Sequence, residues 1–232
     1  MLSPLPRRWP RVATLVLLLA VSCVCSAGCS SGPKTPSPGA PTGTAPLNPA
    51  NIVKVAGALP RGYEVAKVTG ISAPARLWGL TAASAARPPQ CSVLADPARG
   101  RVGAARGVSG SGGGGVVDAV VVASPSGPVT PDPHVVTQCR QWAISGGHAT
   151  ARVHLIDPPH VDGVETLGMA ADITTTAEGG AEILSHAYSF IAYLGDYYAF
   201  TTLIAEPGSA DSPLAPQFAA DLLVKTVSAL RG

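Results

Sequence analysis

Five β-rich runs follow one another in the second half of this 232-residue chain, and only short breaks separate them. Gly-Gly, Pro-Pro and Gly-Asp pairs mark three of the breaks, and such pairs favour tight turns. The Gly195-Asp196 break is a compact hairpin signal, because glycine tolerates the positive φ that a tight turn requires. We therefore expect a meander of antiparallel strands, with the runs at residues 140–144, 149–156, 164–176, 186–194 and 197–205.

Helical patterns flank these runs at both ends of the domain. Asn48 and Pro49 precede a short apolar segment that Pro60 and Gly62 close, which predicts a capped short helix. Ser212-Pro213 is expected to open a C-terminal helix whose apolar face recurs at spacings of four and three residues. That face consists of Ala219, Leu223, Val227 and Leu230. Strands in succession with helices at the ends predict an α+β fold: an antiparallel sheet with helices packed on one face.

Two further β-rich runs, residues 63–69 and 116–123, lie before the meander, and the second is nearly continuous in apolar residues, as a central strand is. Between them, residues 73–105 show no sustained period of 2 or 3.6, which predicts a partly helical loop. The glycine-rich stretch at residues 110–115 precedes a strand and lacks the following helix that a phosphate cradle needs. We expect a flexible loop there.

An apolar run near the amino terminus has the parts of a bacterial lipoprotein signal. Arginines precede it, and Ser26-Ala27-Gly28 places small residues directly before Cys29. We expect residues 1–28 to be a signal peptide and the Cys29 thiol to carry diacylglycerol, beside further acyl chains such as palmitate. Two or three chains, at about 0.8 kcal/mol per buried methylene, hold a protein firmly on a membrane. An uncleaved membrane helix and an ordinary secretory signal are the alternatives.

Residues 29–49 are rich in Pro, Gly, Ser and Thr and bury too little apolar surface to fold. This predicts a disordered tether that begins at the lipidated cysteine. The remaining residues, 50–232, suit one domain with its own core. The expected location is therefore the extracytoplasmic face of the cell membrane, with the membrane itself as the first partner through the anchor.

The charge balance argues against two kinds of partner. From Cys29 onward, 4 Lys and 9 Arg stand against 9 Asp and 5 Glu, a net charge of −1. A near-neutral chain without clustered basic residues argues against nucleic acid and against electrostatic docking on anionic lipid. The partners that stay open are an envelope protein and a lipid ligand.

Cysteine usage agrees with an exported protein. Cys23, Cys25 and Cys29 lie in the signal region, which leaves Cys91 and Cys139 as an even pair in the domain. Neither belongs to a Cys-x-x-Cys motif, so a redox or metal role is not favoured. We expect a disulfide between them.

Signatures of catalysis are weak. The sequence lacks a Gly-x-Ser-x-Gly elbow, a His-Glu-x-x-His motif and a Gly-Lys-Ser/Thr phosphate loop. A metal site needs at least three converging ligands, and the spacing of His148, His154 and His160 does not assure that. We therefore expect no metal, no cofactor and no catalytic residues.

A loop with Asp157, His160 and Asp162 has the residue types that acid–base chemistry uses, although a proline-stiffened turn explains it equally. A hydrolase centred on His160 and Asp162 therefore stays an alternative. Aromatic residues also recur along the final hairpin, where we expect core packing, although one face of the hairpin could offer some of them to a ligand. They are Tyr188, Phe190, Tyr193, Tyr197, Tyr198 and Phe200.

The last feature of the sequence is a resemblance carried by Cys91 and by residues 139–142, 158–166, 192–198 and 219–223. Together these segments resemble a family of mycobacterial lipoproteins whose domain has no assigned function. More distantly, they are similar to the extracytoplasmic sensor domain of mycobacterial membrane Ser/Thr kinases. The resemblance implies an α+β domain with a cleft, a cell-envelope location and a binding role without chemistry. The kinase domains carry two disulfides where this chain has cysteines for one, and no ligand residue can be carried over.

These observations favour a non-enzymatic, lipid-anchored envelope protein whose domain binds a ligand or partner, as a sensor domain does. A carrier of lipid or glycolipid is one alternative, and it requires an unfilled cavity larger than roughly 300 Å³. The hydrolase is the other. The ligand-binding residues stay unknown at this level.

Overall fold

The computed structural model describes residues 46–101, 103–124, 126–205 and 212–232, all within one structural unit, residues 44–232. The expected signal peptide, Cys29 and residues 29–45 of the expected tether lie outside the described residues. Among the residues described, no helix combines the length and apolar character needed to cross a membrane.

Within the described residues, nine antiparallel strands form one sheet, in the order β1-β3-β4-β9-β8-β7-β6-β5-β2. The strands are β1 (Glu64–Thr69), β2 (Ala85–Arg87), β3 (Ala105–Gly112), β4 (Gly115–Ala123), β5 (Gln141–Gly146), β6 (Ala149–Ile156), β7 (Glu165–Thr176), β8 (Glu182–Leu194) and β9 (Tyr197–Ala205). β4, β9 and the second half of β8 lie at the centre of the core, and most of their side chains are buried on both faces. The expected α+β fold with an antiparallel sheet is confirmed.

The predicted meander corresponds to β5 to β9, which are consecutive in both sequence and sheet. The turn between β8 and β9 consists of Gly195 and Asp196, so that Leu194 pairs directly with Tyr197. Gly195 has a φ of +70°, the conformation for which glycine was expected there. β8 begins at Glu182, four residues before the predicted start, because its first residues are exposed and carry no alternating apolar signal.

The prediction of a flexible loop at the glycine-rich residues 110–115 is wrong. Gly110 and Gly112 belong to β3, which pairs with β1 and β4, and the turn is confined to Gly113 and Gly114. A Cβ on Gly112 would lie 2.5 Å from the ring of Tyr63. The glycines therefore let an aromatic ring pack closely against the strand, a role that the sequence pattern alone did not indicate.

Two helical segments cover one face of the sheet. The 3₁₀ helix η1 (Pro49–Ala58) is capped by Asn48, whose side chain accepts a hydrogen bond from the Ala50 N–H at 3.0 Å, as expected. The C-terminal helix begins at Pro216, not at Ser212, since a proline fits the first helical position. Its predicted apolar face is buried against η1 and against β4, β8 and β9.

The opposite face is covered by shorter helical segments, so helices lie on both faces of the sheet and not on one face as expected. They are α1 (Pro74–Leu77), the 3₁₀ helix η2 (Pro89–Cys91), α2 (Ser92–Ala95) and α3 (Pro133–Gln138). The C-terminal helix on the first face, Pro216–Arg231, is named α4. The expected partly helical loop is thus confirmed, with one addition. The addition is strand β2, which lies within this segment, is only three residues long and pairs with β5 at the sheet edge.

Trp78 fixes this second layer to the sheet. Its side chain is 2% exposed, and its indole Nε1 donates to Ser189 Oγ at 3.2 Å. Ser189 Oγ in turn lies 2.9 Å from Thr202 Oγ1, and Thr202 pairs across strands with Asp118. A row of buried polar side chains therefore runs beneath Trp78, and burial raises the pKa of Asp118 above its ordinary value.

The aromatic residues of the final hairpin belong mainly to the core, as expected. Phe190, Tyr193, Tyr198 and Phe200 are buried, whereas Tyr188 and Tyr197 are half-buried. Burial raises the pKa values of Tyr193 and Tyr198, so both phenols stay neutral. Tyr198 Oη donates to the Ser72 carbonyl at 2.5 Å and so ties β9 to the segment before α1.

Candidate functional site

A cleft of about 500 Å³ opens on the face of the sheet that carries the short helices. We call it the disulfide-side cleft, since residues on both sides of Cys91 line it. Its polar lining comes from α1, from α2 with the turn that follows it, and from the segment around β2. These polar residues are Arg76, Thr81, Ser84, Gln90, Ser92, Asp96 and Arg99.

One turn of helix α1 divides its side chains between the core and the cleft. Trp78, directly after α1, is buried in the core, whereas Arg76 lines the cleft and is partly exposed. Ala75 lies between them, since it packs in the core and also lines the cleft. Arg76 Nη1 donates to the Leu80 carbonyl at 3.4 Å, and Arg76 Nη2 lies 3.9 Å from Asp96 Oδ2. Both contacts are long for hydrogen bonds of a guanidinium, so Arg76 keeps donor capacity toward the cleft.

The carboxylate of Asp96 organises the turn that follows α2. Its Oδ2 accepts from the Gly100 N–H at 2.8 Å, and its backbone carbonyl accepts from the Arg99 N–H at 2.9 Å. Burial raises the pKa of Asp96, while the Gly100 N–H and the Arg76 charge oppose that increase. Asp96 Oδ1 is buried and has no hydrogen-bond partner among the described residues.

The same turn gives Arg99 an unusual backbone. Among the residues described, Arg99 is the one non-glycine residue in the left-handed region, with a φ of +54°. Conformations of this kind persist only where the surroundings enforce them, and they cluster at functional sites. Here the hydrogen bonds from the Arg99 and Gly100 N–H groups to Asp96 hold this conformation. The exposed side chain of Arg99 is thereby placed at the rim of the cleft.

A disulfide supports the wall of the cleft. The Sγ atoms of Cys91 and Cys139 are 2.00 Å apart, and the bridge joins η2 to the end of α3. Beside the bridge, Gln90 Nε2 lies 3.5 Å from Gln138 Oε1. The predicted pairing of the two cysteines is confirmed, and it fixes the position of Val135, which also lines the cleft.

A smaller depression of about 220 Å³ adjoins the cleft and shares Val93 and Arg99 with it. Arg101 lines this depression and donates a hydrogen bond to Ser126 Oγ. Ser124 Oγ, also in its lining, is buried without a hydrogen-bond partner in the described part of the chain. Arg99 therefore stands between two adjacent cavities.

The structure does not bring the candidate histidines together. His148 lies in the turn between β5 and β6, His154 faces outward on β6, and His160 lies in the loop before β7. No group of three metal-binding side chains occurs within the described residues. His160 Nε2 does lie 3.1 Å from Asp162 Oδ1, but their side chains are 89% and 98% exposed, so water surrounds the pair.

Sequence reasoning missed a second polar cluster on the uncovered half of the opposite sheet face. His186 Nδ1 lies 2.7 Å from Asp172 Oδ1, and Asp172 pairs across strands with Arg152. The outward-facing positions of β6, β7 and β8 would have indicated this row if the register had been known. The hollow over these strands is shallow, and its side chains are largely exposed.

The fold is shared with a solved mycobacterial protein. An uncharacterized protein from Mycobacterium smegmatis, the Rv0999 ortholog, gives a TM-score of 0.58 at 22% identity, over 80% of this chain and 98% of that chain. The extracellular domain of PknH from Mycobacterium tuberculosis gives a TM-score of 0.39 at 14% identity, over 79% of this chain and 93% of that chain. No curated protein matches the chain.

These comparisons agree with the resemblance noted from the sequence. The first structure shares the sheet architecture, and the second is a distant likeness. A family match covers the whole described fold, from the cap of η1 to the last turn of α4. Residues 48–231 match the family described as a domain of unknown function (DUF5642), and the chain belongs to that family.

Proposed function

We propose that this chain is a lipid-anchored protein of the cell envelope whose domain binds a ligand or a partner in the disulfide-side cleft, without catalysis. Cys29 would carry the lipid, and residues 29–49 would hold the domain at the extracytoplasmic face of the membrane. The domain would then bind its ligand or partner outside the membrane, as a sensor domain does.

The observation that carries this proposal is the cleft itself. Its volume of about 500 Å³ lies within the usual range for small-molecule sites, roughly 300–1,000 Å³. Its polar groups come from several separate elements, and a disulfide and a partly buried carboxylate hold two of these elements in place. Convergent polar groups on a rigid frame are what a specific binding site requires.

The lining also distinguishes this proposal from its alternatives. Two arginines, one aspartate and three hydroxyl side chains suit a polar ligand better than acyl chains, so a lipid carrier is less well supported. For a hydrolase, the exposed His160–Asp162 pair would need a nucleophile within hydrogen-bond reach. Within the described residues, no hydrogen bond connects His160 to a hydroxyl group.

Site-specific crosslinking tests the proposal. A photo-crosslinking amino acid placed at Gln90, on the rim of the cleft, is expected to capture a ligand or partner when the full chain is expressed in a mycobacterial host. The matched control is the same amino acid at Thr150, which is also exposed but lies on the opposite face of the sheet. The measurement is the mass added to each purified protein after illumination.

An adduct at Gln90 that is missing at Thr150 would support the cleft as the binding site and would give the mass of its occupant. Equal adducts at both positions, or none at Gln90, would contradict the proposal. A small added mass would indicate a small-molecule ligand, and the mass of a polypeptide would indicate a protein partner.

A further inference from the structure

We propose that the occupant of the disulfide-side cleft is an anionic small molecule or headgroup, and that its oxyanion is bound by Arg99 together with Arg76. This inference rests on the proposed function, because it names the chemistry of the ligand at the same site.

The first argument is the local charge. The cleft and the adjoining depression together are lined by Arg76, Arg99 and Arg101, whereas Asp96 is the one carboxylate in the two linings. From Cys29 onward the whole chain carries a net charge of −1, so this concentration of arginine is a property of the fold and not of the composition. A concave site lined by an excess of one charge attracts ligands of the opposite sign.

The second argument is that the carboxylate is already engaged. Asp96 Oδ2 accepts the Gly100 N–H at 2.8 Å, and Asp96 Oδ1 is buried. Asp96 therefore shapes the turn and offers little surface to a ligand. Its long contact to Arg76, at 3.9 Å, leaves most of the Arg76 guanidinium donors for another acceptor.

The third argument concerns Arg99. Across the part of the chain that the structure describes, its guanidinium makes neither a hydrogen bond nor an ion pair. Its backbone, in contrast, is fixed by the Asp96–Gly100 turn at a φ of +54°. A held backbone with an uncommitted guanidinium at a cavity rim is suited to receive an acceptor from outside the chain.

The chemistry follows from the guanidinium group. Its planar fork of N–H donors matches the oxygens of a carboxylate or a phosphate, and charge-assisted bonds of this kind are the stronger ones. Ser84, Gln90 and Ser92 supply further donors and acceptors around the two arginines. They would bind hydroxyl or carbonyl groups on the remainder of the ligand.

Titration of the purified full chain with Cys29→Ser, which removes the proposed site of lipidation so that no anchor can insert into a vesicle, tests this inference. The probes are citrate, inorganic phosphate, and vesicles of phosphatidylglycerol compared with vesicles of phosphatidylcholine. We expect at least one anionic probe to bind. Binding of citrate or phosphate indicates a soluble ligand, whereas binding of the anionic vesicles alone indicates a lipid headgroup. The variant Arg99→Gln should weaken that binding by about tenfold or more, and Arg99→Lys by less, because lysine keeps the charge but not the fork.

Arg152→Gln is the matched control, since Arg152 is exposed on the other sheet face and its loss should leave binding unchanged. The inference is overturned if no anionic probe binds, or if Arg152→Gln weakens binding as much as Arg99→Gln does. The crosslinker at Gln90 separates the two proposals. Capture that persists undiminished in Arg99→Gln would contradict the anionic ligand while leaving the binding function intact, and an absence of capture would contradict the binding function itself.

Discussion

Replacing Trp78 by alanine is expected to lower the free energy of unfolding by about 3–5 kcal/mol, the usual range for removing a buried tryptophan. The indole is 2% exposed and packs in the core between α1 and the sheet. Its loss would leave a cavity there and would remove the hydrogen bond to Ser189 Oγ. Urea unfolding of the full chain, followed by circular dichroism, measures the change.

Trp78→Phe is the matched variant, because it keeps a ring in the cavity and removes only the indole N–H and part of the volume. We expect it to be less destabilising than the alanine variant. Ser189 would keep its contact with Thr202 Oγ1, so no buried hydroxyl would lose every partner. If Trp78→Ala unfolds within about 0.5 kcal/mol of the unchanged protein, the size of an ordinary surface substitution, the packing of the cleft layer described above is wrong.

The second large effect concerns the bridge between Cys91 and Cys139. Replacing both cysteines by alanine is expected to lower the free energy of unfolding by roughly 4 kcal/mol, on the chain-entropy model for a separation of 48 residues. The bridge also joins η2 to the end of α3. In its absence, the helical wall of the cleft should exchange its amide hydrogens faster than the strands of the sheet. Hydrogen exchange at residues 89–95, compared with β8, would show that difference.

Chemical reduction is the control for this variant. The unchanged protein in a reducing agent should unfold at the same urea concentration as the double alanine variant, and the variant itself should not respond to reductant. A double variant with the unfolding midpoint of the oxidised protein would contradict a stabilising role for the bridge.

The sequence predicted the sheet better than it predicted the cleft, and the reason is physical. Strands such as β6 and β9 bury one or both faces, so their apolar residues mark them, and both bounds of each were predicted. β2 was missed because three residues at a sheet edge give no period. β3 was missed because its glycines are selected by the ring of Tyr63, which comes from a segment about fifty residues away.

The cleft residues carry no local signal at all. Arg76 lies far from Arg99 and Arg101 along the chain, and none of the three belongs to a motif, so the sequence did not indicate that they line one site. Only the turn around Asp96 and the packing of α1 bring these side chains to one side of the sheet. The cysteine pair could be predicted because parity and compartment left only one pairing.

The measurement that tests the binding function most directly is the native mass of the full chain purified from a mycobacterial host, before and after solvent extraction. It is best made on three proteins: the unchanged chain, Ala82→Trp, which fills the cleft, and Ala143→Trp, which places the same side chain over the opposite sheet face. We predict an added mass, removable by extraction, on the unchanged chain and on Ala143→Trp but not on Ala82→Trp. An added mass that persists on Ala82→Trp, or a bare chain in all three proteins, would contradict a ligand in the disulfide-side cleft.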